Sequence, residues 1–193
     1  MSFQKLVADI WRLYQTDGVP ASGAHRPIKE DIQAWGATVE ANLWHVLDAS
    51  AEAVSHTGDT SETALATIQV PASLMGANGI LRVTTLWSIT NSANNKTLRA
   101  RLGGISGTQY LAVTLTTQAT YRDQRQIANR NSLASQVGMS NTVLGGFGSS
   151  ATALSTSSLD TAANQDLVIT GQLAAAGETI TLEAYLVEVL PRA

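Results

Sequence analysis

Cysteine is absent from all 193 residues, which excludes disulfides, thiolate metal sites, iron–sulfur clusters and cysteine nucleophiles together. Charge is scarce as well: Asp, Glu, Lys and Arg make up 14% of the chain, about half the usual share. The formal net charge of −3 excludes the strongly basic surface that usually marks a nucleic-acid-binding domain, so no nucleic-acid partner is expected. No apolar run approaches the ~18 residues of a spanning helix, and no membrane insertion is expected. The opening Met1-Ser2-Phe3-Gln4-Lys5-Leu6 lacks the basic region and apolar core of a secretory signal.

What the chain does contain is Ala, Thr, Ser, Gly, Leu and Val, arranged in two different patterns. Residues 1–60 hold four cations (Lys5, Arg12, Arg26, Lys29), eight acids and all three histidines. Residues 61–193 hold eight cations and seven acids. In the first part apolar residues recur at helical spacing, over 3–15 (Phe3, Leu6, Val7, Ile10, Leu13, Tyr14) and again over 27–53. Gly18 and Pro20 end the first helix, and Pro27, followed by Glu30 and Asp31, suits the start of the second. Within the second, Ile28, Ile32, Trp35, Val39, Asn42 and Val46 alternate steps of four and three, a heptad seam with one polar member. The seam predicts contact with a partner chain, and a homotrimer is the expected form. The alternative is an amphipathic helix packed on its own domain, since Leu43 and Leu47 widen the stripe.

From residue 61 the period changes from 3.6 to 2. Leu81, Val83, Thr85, Trp87 and Ile89 fall on one face of a strand with Arg82 on the other. Leu98, Ala100 and Leu102 alternate with Arg99 and Arg101, and Leu111, Val113 and Leu115 share a face. The polar stretch 121–131 reads as an edge strand. In the last strand Ile180, Leu182, Ala184 and Leu186 are expected inward. Gly171 marks either a bulge or a close backbone approach. The predicted fold is mainly β: a helical N-terminal segment over 1–60, then an antiparallel, jelly-roll-like β-sandwich over 61–193.

Chemistry is harder to find. His25, His45 and His56 all lie before residue 61, where the sandwich is expected to begin, so its serines are expected to have no imidazole base in their own domain. No metal-ligand spacing and no P-loop occurs, and neither a metal nor any other cofactor is expected. Gly146-Phe147-Gly148-Ser149-Ser150-Ala151 matches a dinucleotide fingerprint in letters only, without a preceding buried strand or a following amphipathic helix. Glu183 and Glu188 have opposite parity on the last strand, so they do not form a carboxylate pair. What remains are outward cations. If strands 79–90 and 97–102 pair as a hairpin, Arg82, Arg99 and Arg101 share one surface with Lys96 nearby, suited to carboxylate or phosphate groups. A solvated sheet face or a subunit rim is the alternative. Trp87, Tyr110 and Tyr121 are candidate sugar platforms, with Trp87 on the apolar parity.

One resemblance accompanies this reading. Asp17-Gly18-Val19-Pro20-Ala21-Ser22-Gly23-Ala24-His25-Arg26-Pro27-Ile28-Lys29, followed by Asp31-Ile32-Gln33-Ala34-Trp35-Gly36, resembles the N-terminal module of virion appendage proteins of tailed bacteriophages, prophages and gene transfer agents. The stretches Leu81-Arg82-Val83-Thr84-Thr85-Leu86-Trp87-Ser88 and Asn94-Asn95-Lys96-Thr97-Leu98-Arg99-Ala100-Arg101-Leu102-Gly103-Gly104 are similar to a sandwich module of such proteins. The ending from Ile169-Thr170-Gly171-Gln172-Leu173 to Thr181-Leu182-Glu183-Ala184-Tyr185 shares that likeness. The resemblance implies a tail fibre, head spike or decoration protein located in the virion, docked on other virion proteins through its N-terminal part. It carries over no catalytic residue. The expectation is a non-enzymatic appendage whose sandwich contacts a host surface polysaccharide; a structural adaptor and a glycan depolymerase are the other readings.

Overall fold

The computed structural model describes residues 29–40, 42–144 and 152–192. They divide into two compact units between Leu43 and Trp44. The helix expected over 3–15, Ile28 of the seam and the glycine-rich 146–151 lie outside the described residues.

In the first unit, α1 (Lys29–Glu40) is shorter than its periodicity implies. Asn42 and Leu43 close it with tight bonds, Asn42 N–H to Val39 O and Leu43 N–H to Glu40 O. The Asn42 side chain donates to Thr38 O at 2.6 Å. The asparagine assigned to a heptad seam thus satisfies a terminal carbonyl and ends the helix. Ile32, Trp35 and Val39 remain helical, but Val46 does not: β1 (His45–Ser50) takes the end of the expected 27–53 helix, and β2 (Val54–Thr57) follows directly after it.

The second unit is two antiparallel sheets. The larger contains β1, β2, β4 (Ile80–Ile89), β7 (Thr120–Asn129), β8 (Gln136–Gly138), β9 (Ser155–Ser157) and β11 (Thr179–Leu190), in the order β1-β11-β4-β7-β8-β9 with β2 also on β11. The smaller is β3 (Thr63–Val70), β10 (Gln165–Leu173), β5 (Lys96–Leu102) and β6 (Thr108–Leu115), in the order β3-β10-β5-β6. β1 and β2 line the free edge of β11 one after the other. That edge explains why 45–57 is extended: its backbone groups would otherwise lack partners, and a strand satisfies them where a helix cannot.

The core lies between the sheets. Leu81, Val83, Trp87, Ile127, Ile180, Leu182, Val187 and Val189 of one face Leu98, Leu102, Leu111, Val113, Leu167 and Ile169 of the other. Trp87 is fully buried, its indole N–H donating to Thr85 Oγ1 at 2.8 Å. It is core and not a sugar platform, and the same holds for Tyr110.

Irregularities in register reassign several faces. Between Leu182 and Ala184 the pairing of β11 with β4 shifts, so the inward set passes from Ile180 and Leu182 to Val187 and Val189. Ala184 and Leu186, expected inward, are only partly buried. The pairing of β5 with β6 slips at Tyr110, which buries both Tyr110 and Leu111. A third shift lies between Ile169 and Thr170, beside Gly171, whose missing Cβ would sit 3.1 Å from Ile180 Cγ2 and 3.3 Å from Leu65 Cδ1. Both readings of Gly171 therefore apply.

Packing is close where β8 crosses Tyr110. A Cβ on Gly138 would lie 2.6 Å from Tyr110 Cδ1 and 2.9 Å from the Gln126 carbonyl. Tyr110 cannot swing away freely, because its hydroxyl bonds Ser157 Oγ at 2.7 Å. Gly138→Ala is expected to cost about 1–3 kcal/mol by overpacking, measured as a lower urea midpoint with unchanged slope. A neutral result would show that β8 yields without strain.

Candidate functional site

The arginines singled out by parity do not share a surface. β4 pairs with β11 and β7, and β5 pairs with β10 and β6, so the assumed hairpin does not exist. Arg82 lies on the larger sheet, Arg99 and Arg101 on the smaller. Each also has a partner. Arg82 Nε and Nη2 meet Glu188 Oε2 at 2.8 Å, and its guanidinium stacks 4.1 Å from the Trp44 ring centroid.

On the smaller sheet, Arg101 forks onto Glu62 at 2.8 and 2.9 Å and also reaches Gly107 O at 3.1 Å. Arg99 donates to Gln172 Oε1 at 2.8 Å, with Nη1 3.3 Å from Glu62. The Thr170 hydroxyl donates to the same carboxylate at 2.6 Å. This lid of polar groups leaves Thr170 and Val168 buried on what would otherwise be an open sheet face. Burial pulls the Arg99 guanidinium below its usual value, helped by the Arg101 charge and opposed by Glu62. These two arginines brace the sheet, and their donors are largely committed.

Two further cations are interior. Lys96, expected beside the outward arginines, is fully buried, with Nζ 2.7 Å from Ser92 Oγ and 3.6 Å from Glu178 Oε2. Arg125 is 2% exposed and paired with Asp123, also 2% exposed. Its Nε and Nη2 reach Asp123 Oδ1 and Oδ2 at 2.6 and 3.0 Å. Tyr121 OH adds a bond to Asp123 Oδ2 at 2.6 Å. Arg125 also donates to the carbonyls of Ser140, at 2.9 Å, and Val143. β7 is therefore an interior strand between β4 and β8 and not the edge its polarity implied. The signal was present as Asp123, Arg125, Ile127 and Asn129 on one parity. Polarity masked it, because a strand of alternating charges reads as solvated unless the charges neutralise each other.

The other parity of β7 puts Arg122, Gln124 and Gln126 in a row on the outer face, all exposed. Beside them lies a recess of about 680 Å³, bounded further by Val137, Met139 and Leu154. In the sequence Arg122 is only one polar residue of the stretch 121–131, and nothing in the strand pattern singles it out. No His, Cys, Asp and Glu cluster able to hold a metal occurs among the described residues.

The bulge in β11 changes one exclusion. It places Glu183 and Glu188 on the same outward face, where Glu183 accepts from Ser88 and Glu188 from Arg82. Five positions along a strand still span about 16 Å, beyond the separations of roughly 5–9 Å at which glycosidase carboxylates cooperate.

A pH dependence follows from Glu62. Burial raises its pKa, but the Arg101 fork, the Thr170 hydroxyl and the two positive charges outweigh burial and hold the carboxyl below its ordinary 4.5. A depressed carboxylate contributes stability that is fully present above the unfolded value and lost as pH falls through the folded one. Glu62→Gln is expected to lower the melting temperature at pH 7, and the gap to the parent should narrow as pH falls below 4.5. A gap independent of pH would assign the effect to packing instead.

No family model and no curated protein matches this chain. Among solved structures it is similar to the CBM2 module of the evolved Dit of Lactobacillus casei BL23 phage J-1, at 11% identity and a TM-score of 0.33, covering 63% of this chain and 67% of that one. It is also similar to the VP2 subviral particle of infectious bursal disease virus, at 14% identity and a TM-score of 0.30 over 76% of this chain. The chain spans 40% of the length of that VP2 protein. Neither likeness reaches a TM-score of 0.5, and neither carries a functional assignment.

Proposed function

We propose that this protein is a non-enzymatic structural appendage of a phage-like virion, of fibre or spike type. Its N-terminal part docks on other virion proteins, and its sandwich contacts a polysaccharide of the host surface. The observation that carries the reading is the strand order. β1 with β2, then β11, β4 and β7, facing β3, β10, β5 and β6, supports a jelly-roll reading, with β8 and β9 added at one edge. Jelly rolls are common in viral capsid and lectin domains. The inference from architecture to role is one of analogy, and the resemblance of residues 17–36 to a virion docking module supports it independently.

The expected assembly is a homotrimer. Of the residues assigned to docking or self-association, Ile32, Trp35 and Val39 lie on α1, and Ile32 is 49% exposed. On the larger sheet Val46 and Leu86 are 63% and 45% exposed, apolar surface that association would cover. A second reading, a decoration or adaptor protein that never touches a glycan, is favoured by the commitment of Arg82, Arg99 and Arg101 to internal partners.

Imaging of the purified particle with this chain tagged at its C-terminus decides the matter. The expected result is a threefold density outside the shell or tail, lost when residues 1–43 are deleted while the remaining sandwich is still produced folded. A tag that never appears on particles, or that persists on them after the deletion, contradicts the proposal.

A further inference from the structure

We infer that the recess along the outer face of β7 and β8 is the glycan site of the sandwich, and that its ligand is an acidic polysaccharide held by Arg122, Gln124 and Gln126. The inference rests on the host-polysaccharide reading above and moves the site from the arginines marked by sequence parity to a different place.

The first argument is which charge is available. Arg82 is committed to Glu188, Arg99 and Arg101 to Glu62, and Arg125 to Asp123. Arg122 is exposed, and among the described residues its guanidinium has neither an ion pair nor a hydrogen bond. Asp123 and Arg125, which also bound the recess, cancel each other and point inward. Among the described residues the recess thus presents a single uncompensated guanidinium, whose planar fork matches a carboxylate or phosphate group.

The second argument is shape and chemistry. A volume of about 680 Å³ is within the range of pockets that hold small ligands. Alternate residues of a strand are roughly 7 Å apart, so Arg122, Gln124 and Gln126 form a row longer than one sugar ring. A carboxamide offers two N–H donors and a carbonyl acceptor, which suits paired hydroxyls. Gln124 spends one donor on Thr84 Oγ1 at 3.2 Å and keeps the rest. Val137, Met139 and Leu154 supply apolar surface for the C–H faces of sugars.

The third argument is rigidity. Behind the row, the Asp123–Arg125 pair fixes β7 and ties it to the carbonyls of Ser140 and Val143. Gln136, itself fully buried, bonds Asn129, Ser157 and the backbone of Leu133 and Leu159. The recess floor is therefore held in place before a ligand arrives, which reduces the ordering cost of binding. Repetition in an oligomer would convert a weak single site into avidity.

The test is amide NMR on the intact protein titrated with three probes: hexagalacturonate, a hyaluronan octasaccharide and neutral cellohexaose. At least one acidic probe is expected to shift the amides of 122–126 and 137–139 at millimolar concentration. Arg122→Ala should weaken that binding about tenfold or more, with an unchanged melting temperature. Gln124→Ala should weaken it less, and added salt should reproduce the loss. Shifts clustering around Arg99 and Arg101 would overturn the site while leaving the polysaccharide reading intact. Equal binding of cellohexaose would overturn the acidic assignment. No response to either acidic probe would overturn the inference, and virion docking would still be decided separately by particle imaging.

Discussion

The buried pair Asp123–Arg125 is the interaction on which the rest of this sandwich depends. Two charged side chains at 2% exposure are tolerable only if nearly every donor and acceptor is met, and here they are. The carboxylate takes two guanidinium bonds and the Tyr121 hydroxyl, while the guanidinium reaches on to two backbone carbonyls beyond β8. Losing one member would strand the other in a low-dielectric interior. The pair also ties β7 to the chain leaving β8, where Asn141 O accepts from Ala112 of the smaller sheet. A polar strand becomes an interior strand because its inward charges neutralise each other.

The same economy runs through the molecule. With charged residues at 14% of the chain, most cations of the sandwich act as internal braces. Arg99 and Arg101 roof the smaller sheet over Glu62, Lys96 anchors the loop at Ser92 and Glu178, and Arg82 bridges β4 to β11 under Trp44. An arginine visible in a strand pattern is therefore a poor guide to ligand contact in this fold. The informative arginine is Arg122, which has no such partner among the described residues.

Sequence patterning carried the sheets well and the junctions badly. Alternation over β4, β5 and β6 placed Trp87, Leu98, Leu102 and Val113 in the core, because a half-buried strand must repeat every two residues. It failed on β11, where the shift at Glu183 exchanges inside for outside and no residue type announces it. The long helix through Val46 failed for another reason. Alanine-rich sequence with apolar residues every three or four positions fits a helix, yet the open edge of β11 demands a strand, and that demand is tertiary. The candidate site was legible only as a list of outward arginines. Whether two strands share a sheet, and whether a guanidinium already has a carboxylate, are both facts of topology.

The central claim is that the Asp123–Arg125 pair, and not the apolar core alone, holds β7 and the face it presents. A double-mutant cycle by urea unfolding tests it most directly, using Asp123→Ala, Arg125→Met and the double variant. Each single change should cost about 3–5 kcal/mol by stranding a buried charge, and the double variant should recover a large part of that loss. Small and additive single costs, each below about 1 kcal/mol, the level of an exposed pair, would contradict it.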